Sequence, residues 1–85
     1  MPKSAFTDAY ASMITLLAAL RREKGVSQVE LARRLGKTQQ FVSMVERGDR
    51  RIDVVEFYAI VSALGADPVN EFARFAQLMP DGVAI

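Results

Sequence analysis

Residues 28–47 read QVELARRLGKTQQFVSMVER, and their spacing decides the fold. Leu31, Ala32 and Leu35 fall at i, i+1 and i+4, the single inward face of a short helix. Val42 and Val45 lie three apart with Phe41 beside them, the inward face of a second. Gly36 stands between the two, a residue that takes a left-handed backbone without a Cβ penalty. A chain that leaves one helix and starts another almost at once needs such a residue. Ala32 is small, so the second helix can cross close over the first. The stretch is therefore two short helices joined by a tight turn.

Working outward, a first helix begins after Ser4 or Thr7, either able to cap it. Phe6, Ala9, Tyr10, Met13, Leu17 and Leu20 form its apolar stripe, Arg21, Arg22 and Lys24 suit its C-terminal dipole, and Gly25 ends it. Ser27 with Glu30 predicts a capping box for helix 2, and Val26 with Leu31 a hydrophobic staple. Arg33 and Arg34 face outward. Thr38 caps helix 3, which stops at Gly48. Asp53 and Glu56 predict a second box, opening a helix 4 that runs to Leu64 with Val54, Phe57, Ile60, Val61 and Leu64 inward. Asp67 followed by Pro68 opens helix 5, whose stripe is Val69, Phe72, Ala73, Ala76 and Met79. Pro80, Asp81 and Gly82 break it. No strand pattern, repeat or low-complexity linker is present, and 85 residues make one all-α domain spanning 1–85.

The composition narrows the chemistry. With 51% hydrophobic residues the chain is not of the disordered class. Cysteine and histidine are both absent, which removes disulfides, thiolate nucleophiles and the commonest general base and zinc ligand. Net charge is only +1, but residues 21–51 carry nine basic and four acidic side chains, a local net of +5. Such a patch attracts a polyanion even when the total charge is small. The apolar run 13–20 is too short to span a bilayer, and its flanking charges do not suit a signal peptide, so a cytoplasmic protein is expected.

Gln28, small Ala32, Gly36, Val42 and Val45 stand at the spacing of the helix-turn-helix, and the pattern resembles the phage-repressor and Cro-like family, also called Xre. LRREKGVSQVELARRLG upstream and VERGDRRI and ALGADP downstream extend the similarity over about residues 13–72. An N-terminal helix extension (1–12) and a C-terminal helix end and tail (73–85) lie outside it. The resemblance implies a compact five-helix, lambda-repressor-like DNA-binding domain with the helix-turn-helix at helices 2 and 3. It binds double-stranded DNA, usually as a homodimer. Helix 3 would lie in the major groove with its N-terminal side chains at base edges. Gln39 and Gln40 are then the first residues for base contact, since a glutamine amide pairs with both N6–H and N7 of adenine. Ser43 and Met44 share that face. Met44 either lies against a thymine methyl or fills a gap at the core edge. By the same resemblance Gln28 and Thr38, each at a helix N-terminus, contact phosphate. Lys37, Arg47, Arg50 and Arg51 surround helix 3 and can neutralise further phosphates. Arg21 and Glu46 match a structural ion pair of the family.

An apolar surplus remains: Phe75 and Leu78 on helix 5, with Phe6, Tyr10 and Val55. These residues either complete a small core or form a homodimer interface.

The leading expectation is a sequence-specific, dimeric transcriptional regulator, a repressor. The alternative is a protein-interaction module, such as an antitoxin that neutralises a protein partner, with DNA binding secondary. An enzyme is not expected. Glu30 and Asp53 are explained by capping and Glu46 by its ion pair, Gly25, Gly36, Gly48 and Gly65 are spaced as helix punctuation, and no metal-ligand spacing occurs. No cofactor or metal is expected.

Overall fold

A computed structural model describes residues 7–85. Five helices follow one another: α1 Asp8–Glu23, α2 Gln28–Leu35, α3 Gln39–Arg47, α4 Val54–Ala63 and α5 Pro68–Gln77, with no strand among the described residues. Ser4 and Phe6 lie outside the described residues. Each helix starts on an oxygen-bearing cap, namely Thr7, Ser27, Thr38, Asp53 and Asp67, each accepting from a first-turn N–H. Such a cap contributes about 1 kcal/mol.

The two expected capping boxes part company. At Asp53 the box is reciprocal, with Asp53 Oδ1 accepting from Glu56 N at 2.7 Å and Glu56 Oε1 accepting from Asp53 N at 2.9 Å. At Ser27 it is half made. The Ser27 hydroxyl accepts from Glu30 N at 3.0 Å, but the Glu30 carboxylate turns to Arg33 and Arg34 at 2.7 and 2.8 Å. Two charged guanidinium donors outcompete one neutral backbone N–H.

The tight turn between α2 and α3 is closed by Gly36 at φ +68°, with Gly36 N and Lys37 N donating back to the carbonyls of Arg33 and Ala32 at 3.2 and 2.9 Å. Around it the core gathers Leu17, Leu20, Val26, Leu31, Ala32, Val42, Phe57, Ile60, Val61 and Leu64. Val26 and Leu31, the expected staple, are both in it. A second cluster of Tyr10, Ile14 and Val45, with Met13, Phe41 and Ile52 against it, joins α1 to α3.

Five expected inward positions, one on α4 and four on α5, are instead outside. Val54 is 74% exposed, at the rim of a shallow groove between α4 and α5. The α5 stripe is rotated by about one residue, or 100° round the wheel. Its buried and half-buried line is Pro68, Glu71, Phe75 and Met79, whereas Val69 is 74% and Phe72 50% exposed, with Ala73 and Ala76 also outside. Periodicity located the apolar stripe, but Phe72 meets the domain only along its edge, T-shaped on Phe57 at 6.1 Å between centroids. The innermost place falls to Glu71, which is paired with Arg74 at 3.1 Å.

Candidate nucleic-acid interface

The exposed edge of α3 is built from its own period. Val42 and Val45 are buried, which turns Gln39, Gln40, Ser43 and Arg47 to the other side. Thr38, Gln39, Gln40 and Arg47 are exposed, while Ser43 and Met44 are half-buried. The first turn of α3 also leaves backbone N–H groups unpaired within the helix, and these favour an anion.

A relay of side chains fixes this edge from behind. Arg21 on α1 donates through Nε and Nη2 to the two carboxylate oxygens of Glu46 on α3, at 2.6 and 3.1 Å, and through Nη1 to the carbonyl of Val26 at 2.8 Å. Glu46 Oε1 also accepts from Gln28 Nε2 at 2.9 Å, and Gln28 Oε1 accepts from Gln39 Nε2 at 3.0 Å. The ion pair is only 10% and 11% exposed at its two side chains. Burial acts to raise the pKa of Glu46, but the hydrogen bonds from Arg21 and Gln28 prevail and hold it below the ordinary carboxylate value. The relay runs from α1 to the tip of α3 and consumes both ends of the Gln28 amide. Gln39 keeps its amide oxygen and a second N–H, the two groups that pairing with adenine uses.

The cations around α3 are held as well. Lys37 Nζ and the Arg50 guanidinium flank the Phe41 ring at 5.4 and 4.9 Å from its centroid. Arg50 also bonds Glu56 at 3.0 Å and the carbonyl of Arg51 at 2.7 Å. The hydrogen bond from Arg50, and after it that from Asp53 N, lower the Glu56 pKa. Arg47 reaches back to Ser43 Oγ at 2.7 Å and forward to Asp49 at 3.0 Å. Arg51 lies 4.1 Å over the Tyr10 ring, whose hydroxyl accepts from Ile52 N at 2.9 Å. Arg33 and Arg34 are not plain surface charges. Both grip Glu30, lowering its pKa to about 2 through their hydrogen bonds, and Arg34 also donates to the Ala63 carbonyl at 2.8 Å, tying α2 to the end of α4.

Sequence reasoning missed three supports of this surface. Tyr10 anchors the segment after α3, Phe41 carries two cations, and Asp49 and Glu56 hold two arginines. Arg47 with Asp49 and Lys37 with Phe41 are close enough in sequence to have been local signals. Tyr10 meets Ile52 through tertiary packing.

The sequence model of the HTH_3 family, described as helix-turn-helix, matches residues 17–69. The chain belongs to this helix-turn-helix family, of the Xre type. It is 46% identical over 53 residues to an uncharacterized HTH-type transcriptional regulator of Sinorhizobium fredii, covering 62% of this chain and 69% of that one. An XRE-family like protein from Pseudomonas syringae pv. tomato superposes with a TM-score of 0.81 at 37% identity, covering 86% and 89% of the two chains. A variant of a restriction-modification controller protein shares the fold, with a TM-score of 0.77 at 21% identity over 84% of this chain and 95% of the other. The helix-turn-helix that the sequence located at α2 and α3 is thus the family's own, and the protein is a DNA-binding transcriptional regulator.

The residues read from the sequence as either core or dimer interface do not share one surface. Tyr10 is buried in the core cluster that joins α1 to α3. Phe75 is half-buried on the inner line of α5, 5.8 Å from Phe72 between centroids. Leu78 is exposed but lies in a groove against Ser12, Leu16 and Leu20 of α1. Val55 is 71% exposed on α4. No helix among the described residues is long and apolar enough to cross a membrane.

Proposed function

We propose that this protein is a homodimeric, sequence-specific repressor that reads the major groove with α3 and acts in the cytoplasm without catalysis or cofactor. The observation that carries the reading is the relay Arg21–Glu46–Gln28–Gln39, which holds a base-reading amide at the tip of α3 in one orientation. Gln39, Gln40, Ser43 and Met44 are the base-contact set. Thr38, Lys37, Arg47, Arg50 and Arg51 are phosphate contacts. Gln28, whose amide is spent on Glu46 and Gln39, orients Gln39 and reaches phosphate only with its second N–H.

One α3 reads few base pairs, so a second copy about one helical turn away, roughly 34 Å, supplies the remaining specificity. The outer face of α4 and α5 suits that second copy better than the residues first singled out. Val54, Tyr58, Pro68, Val69 and Phe72 line an open apolar groove of about 290 Å³ there. A contiguous apolar surface of this kind is what two copies bury. The same face would serve a protein-interaction module, in which case random duplex DNA would not bind even at low salt.

Selection of bound fragments from random duplex DNA tests the proposal. The expected result is a two-fold symmetric site with half-site centres about one helical turn apart. Recovery of no enriched sequence contradicts it.

A further inference from the structure

Two acidic side chains sit where a DNA-binding surface should repel them. Asp49 and Glu56 flank the segment after α3, and each holds one of the arginines that the proposed function assigns to phosphate. We infer that Asp49 and Glu56 are internal competitors for DNA phosphate, which occupy Arg47 and Arg50 in the free protein and limit its affinity for duplex DNA of any sequence. The inference rests on the reading that this face meets DNA.

The geometry carries it in three respects. First, each arginine is used as a phosphate would use it. Glu56 takes both Arg50 Nη1 and Nη2, at 3.2 and 3.0 Å, and Asp49 takes Arg47 Nε at 3.0 Å. A carboxylate and a phosphate offer a guanidinium the same kind of paired oxygen acceptors, so one group excludes or crowds the other. Second, one partner of each pair is fixed in place. Glu56 Oε1, the oxygen that takes Arg50 Nη1, also accepts from Asp53 N at 2.9 Å as part of the α4 capping box, so the carboxylate cannot swing away to water without breaking that box. Arg47 is steadied in the same way by Ser43 at 2.7 Å. Third, the pairs are within reach of DNA. The Arg47 and Arg50 side chains are 58% and 40% exposed, unlike the buried Arg21.

A phosphate that approaches Arg50 must therefore either displace Glu56 or share the guanidinium with it while two anions stand close together. Each carboxylate also cancels one cation of the field that draws in a polyanion, within the Debye length of about 10 Å at 0.1 M salt over which that field is felt. Neither competitor touches Gln39 or Gln40. The device weakens the sequence-independent part of binding and leaves base preference to the glutamines. For a regulator searching among many nonspecific sites, that shortens each unproductive stay.

The test is equilibrium binding to a short random-sequence duplex over a range of salt, for the intact chain and for Glu56→Gln and Asp49→Asn. Glutamine at 56 can still accept from Asp53 N, and position 49 closes α3 only through its backbone N–H on the Met44 carbonyl at 2.8 Å, which asparagine keeps, so thermal unfolding should be nearly unchanged. Each variant should bind about three- to tenfold more tightly at low salt, with a log K against log salt slope steeper by about one per subunit. The decisive comparison repeats Glu56→Gln in an Arg50→Ala background and Asp49→Asn in an Arg47→Ala background. There the gain should shrink to less than about twofold, since a competitor has no effect once the contested arginine is gone. Unchanged or weaker binding by both single variants overturns the inference, and so does a gain that persists without the arginines, which would be general charge repulsion. An intact chain that binds no duplex at all would instead sink the functional reading beneath it.

Discussion

The outer edge of α3 and the outer face of α4 and α5 are both exposed, for opposite reasons. The α3 edge is polar, and almost every side chain on it is tied down. Gln39 is held through Gln28 and Glu46 to Arg21, Arg47 is held by Ser43 and Asp49, and Lys37 and Arg50 rest against Phe41. The α4–α5 face is apolar, and Val54, Tyr58 and Val69 are each more than 60% exposed on it. A surface that reads bases has to be oriented before the ligand arrives, because each disordered side chain costs about 0.5–1.5 kcal/mol to fix on binding. A surface that meets a second copy needs little beyond apolar area, since burial has no preferred direction.

The comparison breaks most visibly where the relay begins. Arg21→Ala should cost about 3–5 kcal/mol of folding stability, because it leaves Glu46 buried without its cation. Denaturant titration measures it. A loss below about 1 kcal/mol would mean that the relay is ornamental and that α3 is oriented by packing alone. DNA binding by this variant would not be informative while the fold is compromised.

On the apolar side, Val69→Glu with Tyr58→Glu should leave a folded chain, since both side chains are more than half exposed. Burying an apolar side chain contributes about 1.5–3 kcal/mol when complete, so loss of the pair should weaken self-association by roughly 100-fold. Sedimentation should show a monomer. A folded dimer would clear this face and redirect attention to the groove that Leu78 shares with α1.

These two regions were unequally legible in the sequence. The five helices and their order followed from caps, glycines and apolar spacing, all local signals, and so did the position of the helix-turn-helix. The Arg21–Glu46 pair came with the family resemblance. The rotation of α5 did not follow, because its most apolar stripe, Val69, Phe72, Ala73 and Ala76, is not the one that turns inward, and a hydrophobic period does not say which face does. Tyr10, which the sequence left open between core and interface, is buried, and its hydroxyl reaches across 42 residues to the backbone of Ile52, a contact no local pattern announces. The half-made box at Ser27 was hidden because Glu30 had two competing arginines on its own helix, a local conflict whose outcome depended on charge.

Tyr10→Phe isolates that long-range support. It removes one hydrogen bond and leaves Ile52 N without its acceptor, so it should cost about 1 kcal/mol of stability. A loss of a few-fold in affinity for all duplexes should accompany it as the segment carrying Arg50 and Arg51 loosens. Wild-type affinity in a destabilised Tyr10→Phe would separate this support from the DNA surface.

The most direct test of the central claim, that the α3 edge reads bases while the cations around it only position the protein, is the ratio of affinities for a selected site and for random duplex. It should be measured in the intact chain, in Gln39→Ala, in Gln40→Ala and in Arg50→Ala. Each glutamine variant should lose about 1–3 kcal/mol at the selected site and little on random DNA, so that the ratio collapses. Arg50→Ala should weaken both and leave the ratio near its original value. Equal ratios across all four proteins would contradict the division of labour proposed for this surface.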